Sequence, residues 1–199
     1  EERSHLAREL HDELGSLLTA AKLDVARLKS RKVNTPPETS ERLQHLTETL
    51  NSGIALSRRI IEDLHPSSLS HLGLVASLEI LAQDFGERSG LVVTTDLEAV
   101  ELSGSTQLMI YRLLQESLTN IGKYAQAQHV VISLQDFESF VRVEVKDDGN
   151  GFDTTQVRLS SHGLIGMRHR VEGGGGHLTV TSSPGDGTSV CAVIPKSTS

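Results

Sequence analysis

Phe140-Val141-Arg142-Val143-Glu144-Val145-Lys146 alternates apolar and polar residues and then breaks at Asp147-Asp148-Gly149-Asn150-Gly151. A period of two is that of a strand with one buried face. Glycines at alternate positions let the backbone turn sharply and approach a ligand, and a carboxylate at the end of the strand can accept a hydrogen bond from it. Alone, the pentapeptide is equally a turn. A Ca²⁺ loop is a further reading, but the acidic ligands of an EF-hand do not continue beyond it. Its surroundings have to decide.

Upstream, His129–Gln135 is a second alternating run, separated from the first by a polar turn. Before it, Thr106–Ala125 reads as a helix with Leu108, Leu113, Leu114, Leu118 and Ile121 on its apolar side. Leu74–Ser89 reads as a helix closed by Gly90, followed by a short strand at Leu91–Leu97. Downstream come a short helix near Leu164–Val171 and strands near His177–Ser183 and Ser189–Ile194. Helices with mostly antiparallel strands make a two-layer α+β domain.

Three further elements in this half suit phosphate. Glu116, Asn120 and Lys123, at offsets of four and three, share one helical face. An amide oxygen can ligate Mg²⁺, a carboxylate can position its waters, and an ammonium can neutralise a phosphate. Gly163-Leu164-Ile165-Gly166-Met167 opens the short helix, where backbone N–H groups are anion donors. Gly185-Asp186-Gly187-Thr188 precedes the last strand. Each taken singly is also an ordinary feature: a solvated face, a helix cap, a hairpin turn.

The first third of the chain has a different period. Leu6, Leu10, Leu14, Leu17, Ala21, Val25 and Leu28 recur every three or four residues, as on one stripe of an amphipathic helix. Asn34-Thr35-Pro36-Pro37 ends it, because paired prolines cannot continue the hydrogen-bond ladder. Leu43, Leu46, Leu50, Ile54, Ile61 and Leu64 form a second stripe that stops before Pro66. Two such helices make an antiparallel hairpin whose stripe stays partly wet. Pairing two copies into a four-helix bundle would bury it, and so would docking the rest of the chain. The expected organisation is a helical hairpin over 1–66, a linker over 67–73 and the α+β domain over 74–199.

Composition removes several classes of function. The net charge of −7 argues against a nucleic-acid surface, which needs clustered Lys and Arg. No apolar run approaches the roughly 20 residues of a membrane span. A single Cys, Cys191, excludes an intrachain disulfide framework and fits a reducing compartment. Its alternating apolar surroundings suggest a core thiol. His45, His129, His162, His169 and His177 have no partners at metal-ligand spacing, which argues against a zinc site. The chain begins inside a helical pattern, which suggests a fragment.

Taken in order, the four phosphate-suited elements resemble the Bergerat-fold ATP-binding domain shared by gyrase, Hsp90-type chaperones, histidine kinases and mismatch-repair ATPases. The resemblance runs over roughly Gly73–Pro195. Gln115-Glu116-Ser117-Leu118-Thr119-Asn120 resembles its N box, with Lys123 one turn on. Asp147, Gly149 and Gly151 resemble its adenine-binding box. Gly163, Leu164, Gly166 and Met167 resemble the glycine box after the ATP lid, and Gly187-Thr188 the last glycine element. The resemblance implies ATP and Mg²⁺ as ligands. It implies that Asp147 accepts from the adenine amino group, that Asn120 ligates the metal with Glu116 acting through water, and that Phe152–His162 forms a lid.

Leu6-Ala7-Arg8-Glu9-Leu10-His11-Asp12-Glu13-Leu14-Gly15 resembles the phosphoacceptor box of histidine kinases that partner NarL-type response regulators. That resemblance implies autophosphorylation of His11 from ATP in a homodimer, with Asp12 and Glu116 as further catalytic residues. It also implies transfer onward to an aspartate of a response-regulator receiver domain. It places the catalysis in the cytoplasm, with any membrane anchor upstream. A neutral imidazole has a free lone pair for in-line attack on phosphorus. Two positions depart from the pattern. Ser16 stands where many relatives have a Gln thought to orient the dephosphorylating water, so phosphatase activity is not implied. Tyr124 replaces the His usual after the N-box Lys. Two other classes remain as alternatives, an ATP-driven clamp without histidine phosphorylation and a degenerate nucleotide-binding scaffold.

Overall fold

Pro37 opens a helix rather than only closing one. Its missing N–H falls in the first turn, where it would have no intrahelical partner anyway, and the Pro36 carbonyl accepts from the Thr39 and Ser40 amides at 3.0 and 3.1 Å. In the computed structural model, which describes residues 2–30, 36–64, 66–154 and 162–196, helix α1 spans Glu2–Ser30 and α2 spans Pro37–Leu64. The chain divides into two units, Glu1–Ser70 and His71–Ser199.

In the first unit α1 and α2 pack along each other. Leu18, Ala21 and Val25 on α1 and Leu43, Leu50 and Ile54 on α2 are half-buried, and Gly53 lies against the Leu18 side chain. The single stripe expected on α1 therefore divides. Ala21 and Val25 face inward with Leu18, whereas Leu14, Leu17 and Leu28 remain 39%, 68% and 52% exposed. On α2, Leu46 and Ile60 are likewise exposed. The side chains of Leu6, Leu10, Ile61 and Leu64 lie outside those described.

The stretch expected as a linker is largely helical. Helix α3 spans Ser67–Leu72, with Leu69 buried, and Gly73 at φ 79° turns the chain into α4, Leu74–Ser89. Gly90, at φ 74°, ends α4 in the left-handed conformation and donates its N–H to the Gly86 carbonyl at 2.9 Å.

Strand β1 is Val92–Leu97, α5 is Gly104–Asn120, β2 is His129–Asp136 and β3 is Phe140–Asp147. Helix α6 is His162–Gly173, β4 is His177–Ser182 and β5 is Thr188–Pro195. Ser103 caps α5 by accepting from the Thr106 amide. The sheet order is β1-β2-β3-β5-β4, antiparallel except for β1 beside β2. That one parallel pair needs a crossover, which α5 supplies.

Val130, Ile132 and Leu134 of β2, Val141, Val143 and Val145 of β3, and Ala192 and Ile194 of β5 are buried on one sheet face. Helices α4, α5 and α6 contribute Leu78, Ile110, Leu114, Leu118, Met167 and Val171 to the same core. The result is the two-layer α+β sandwich expected from the periods. Cys191 corrects the expectation of a core thiol. The alternation of β5 sends Val190, Ala192 and Ile194 inward and leaves Cys191 half-buried on the other face, 3.4 Å from Arg142 Nε.

Candidate functional site

The carboxylate at the end of the β3 alternation lies deep in the second unit. Asp147 is in the central strand, between Val130 of β2 and Thr188 of β5, and is only 4% exposed. It accepts the Gly149 amide at 2.9 Å. Burial pushes its carboxyl above the usual range, against the opposing pull of the Gly149 and Thr188 amides. A buried carboxylate of this kind gains most when a ligand supplies a further donor.

Asp147 opens into a cavity of about 630 Å³ between α5 and the sheet, within the range of small-ligand sites. Helix α5 supplies Glu116, Ser117 and Asn120. Beyond Asn120 the helix widens into a π-helical turn, Ile121–Ala125, whose residues all line the cavity except Gly122. Glu116, Asn120 and Lys123 thus share the cavity, as their spacing suggests. Gly151, Phe152, Gly163, Leu164 and Thr188 line it too, and Val145 and Val190 form apolar wall from the sheet.

Not every expected ligand residue reaches the cavity lining. Gly149, Gly166, Met167 and Gly187 are not among its lining residues. Met167 is buried, and its sulfur accepts the Ser117 hydroxyl at 3.8 Å, joining α6 to α5. Gly187 receives the Ser182 hydroxyl on its carbonyl at 2.8 Å. Gly151 has φ 57°, and a side chain there would strike the Ser183 and Gly187 carbonyls. Gly163 leaves room for the Glu116 carboxylate, which a β-carbon would meet.

Several lining residues were not among the expected ligands. Ser117, Ile121, Tyr124, Ala125, Phe152, Val145 and Val190 all contribute surface. The alternation of β3 and β5 was signal enough for Val145 and Val190, since both share a face with known core positions. Tyr124 depends on the π turn, which no periodicity announces. Of the lid segment, 155–161 lies outside the described residues. His11 and Asp12 lie on α1 of the first unit, and their side chains also lie outside those described.

The donor set suits a Mg²⁺-bound nucleotide. It has one buried carboxylate for an exocyclic amino group, apolar walls for a base, and an amide, a carboxylate and an ammonium for metal and phosphates. Asn120 and Glu116 could hold such a metal, which would neutralise phosphate charge there. No group of three or more potential metal ligands of the His, Cys, Asp or Glu type occurs among the described residues.

Residues 2–69 match a family described as histidine kinase, and residues 105–198 match the histidine kinase-, DNA gyrase B- and HSP90-like ATPases. The chain is 32% identical over 206 residues to the signal transduction histidine-protein kinase/phosphatase DegS of Brevibacillus brevis, covering 100% of this chain and 52% of that protein. It is 34% identical over 203 residues to the sensor histidine kinase MctS of Rhizobium johnstonii, covering 99% and 44%. The chain thus spans about half the length of the curated relatives it matches. Among solved structures, the histidine kinase domain of the Erythrobacter litoralis EL346 blue-light activated histidine kinase superposes with a TM-score of 0.62 at 22% identity, over 92% of this chain and 95% of that one. The Acinetobacter baumannii histidine kinase AdeS gives 0.53 at 16% identity, over 94% and 98%. These two likenesses bear on the fold. With a helical module that matches the histidine kinase family followed by this ATPase module, the chain belongs to the histidine kinases.

Proposed function

We propose that this chain is the catalytic core of its protein, phosphorylating His11 from Mg²⁺·ATP and passing the phosphoryl group to an aspartate of a response-regulator receiver domain. The observation that carries the reading is the cavity that gathers the buried Asp147 carboxylate with Glu116, Asn120 and Lys123. Asp147 accepts from the adenine amino group. Lys123 neutralises phosphate charge, and amides near Gly163 and Leu164 add donors at the start of α6. Gly149, Gly166, Met167 and Gly187 hold these walls in place, and Thr188 closes one side.

In the transfer step one imidazole nitrogen of His11 attacks the γ-phosphorus, and the bridging oxygen leaves with its electron pair on ADP. The proton on the other ring nitrogen passes to a carboxylate, a role that falls to Asp12. Two copies pair through the exposed leucines of α1 and α2. No described helix is long and apolar enough to cross a membrane. We place the catalysis in the cytoplasm, with any membrane attachment through an upstream region.

The test is incubation with γ-labelled ATP and Mg²⁺, comparing wild type with His11→Gln and Asn120→Asp. Acid-labile, base-stable label in the wild type and none in either variant is the expected result. Label persisting in His11→Gln would overturn the assignment.

A further inference from the structure

Asp147 and Asp148 are adjacent but face opposite ways. Asp147 turns into the cavity, whereas the Asp148 side chain is 46% exposed and is not part of its lining. One Asp148 oxygen accepts both the Gln128 and His129 amides, at 2.7 and 2.9 Å, and the other lies 2.7 Å from His129 Nδ1. An exposed ion pair alone contributes little. This carboxylate also satisfies two backbone donors on a separate segment, and charge-assisted bonds to backbone are the stronger kind. Its carboxyl is accordingly held at about 2, first by the His129 amide, then by the His129 ring and the Gln128 amide.

The segment it grips leads directly out of the π turn that carries Lys123 and Tyr124. Further bonds continue the seam. The Asn150 amide donates to the Ala125 carbonyl at 2.7 Å, and Asn150 Nδ2 donates to Gln126 Oε1 at 3.1 Å. Gly149 packs so closely on the Ala125 carbonyl that a β-carbon would overlap it. Gln126 has φ 53°, the one positive φ outside glycine among the described residues. Such a conformation persists where surrounding contacts fix it. The base-reading loop and the phosphate-side turn are thereby tied together by groups of which Asp148 makes the most bonds.

We propose that Asp148, partnered by His129, is a positioning residue for nucleotide recognition, locking the Asp147–Gly151 loop to the Ala125–His129 segment so that Asp147 meets the adenine amino group at a fixed place relative to Lys123. The proposal rests on the ATP-binding reading above. It predicts that loosening the seam affects base discrimination more than general folding.

The test measures binding of ADP and of inosine diphosphate, which lacks the amino group, to the whole chain by calorimetry. Wild type should favour ADP by about tenfold or more, since a site built to bond an N–H rejects an analogue without it. Asp148→Ala should weaken ADP binding by about tenfold and narrow the preference for ADP, with circular dichroism unchanged. His129→Ala, which removes a single bond, should have a smaller effect in the same direction. Asp148→Asn keeps an oxygen for both amides and should restore most of the preference. If wild type bound neither nucleotide, the ATP-binding reading would fail. If it bound ADP while Asp148→Ala kept the wild-type preference, only the present proposal would fail. Should Asp148→Ala not fold, the Asn and His129 variants decide: wild-type preference in His129→Ala together with a lost preference in Asp148→Asn would overturn the positioning role.

Discussion

The two units bury their leucines differently. In the ATPase unit Ile110, Leu114, Ile132 and Leu134 are at most 1% exposed, and the core closes within the chain. In the hairpin the inward residues are only half-buried, while Leu17, Leu28 and Leu46 are 68%, 52% and 47% exposed. At about 100° per residue, Leu14, Leu17 and Leu28 lie beside the Leu18/Val25 face, as a four-helix bundle requires. One unit meets its hydrophobic requirement alone, and the other leaves apolar surface that the proposed pairing of two copies would cover. Completeness of burial, more than the count of leucines, separates a self-sufficient domain from half of an assembly.

The sharpest way to break this contrast is in the closed core. Ile110→Ala should destabilise the ATPase unit by about 2–5 kcal/mol, since a cavity is left where no solvent enters, read as a lower denaturation midpoint with loss of nucleotide binding. Leu17→Glu on the hairpin should do the reverse, leaving ADP binding intact while weakening self-association by about tenfold or more, because burying an unpaired carboxylate in a bundle is costly. Sedimentation at several concentrations checks it. A dimer of unchanged affinity would move the interface away from that stripe.

Acidity should distinguish neighbouring groups within the ATPase unit. In the proposed complex an ionised Asp147 is the stronger acceptor for the adenine amino group, and burial raises its pKa. ADP affinity should therefore begin to fall at a pH above the ordinary carboxylate range. The unfolded chain holds that proton less tightly, so the penalty Asp147 imposes on folding is relieved as pH falls through its folded pKa. Asp148 has the opposite sign. Its folded pKa of about 2 contributes stability that is present above the unfolded value and lost as pH falls toward 2. Binding titrated against pH, with circular dichroism alongside, should show nucleotide lost before structure.

The smallest effect is expected at Ser57 on α2. Its hydroxyl is buried and finds no hydrogen-bond partner among the described residues. Ser57→Ala should be neutral or raise stability by up to about 1 kcal/mol, because an unsatisfied polar group is removed. A clear loss by thermal melting would show a role for that oxygen in the assembled bundle.

Much of the fold and site was legible in the chain. The change from long paired helices to a mixed helix-and-strand pattern after about residue 73, the β3 alternation ending at Asp147, and the shared placement of Glu116, Asn120 and Lys123 on one helical face all appear in the structure. Local rules suffice for these, because periodicity and helix spacing depend on residues a few positions apart. The helix over 67–72 was missed because Ser67-Ser68-Leu69-Ser70 has no stripe, and the buried Leu69 supplies the only apolar anchor in its first turns.

The sequence alone determined the order of modules and the polar set of Glu116, Asn120, Lys123 and Asp147 that faces the cavity, since both follow from patterns written along the chain. Only the tertiary structure decided which leucines turn inward, that Cys191 leaves the core, that Tyr124 reaches the cavity through a π turn, and that Asp148 grips a segment some twenty residues away. Each depends on which face or backbone amide another element presents, and that is settled by packing between segments far apart in the chain.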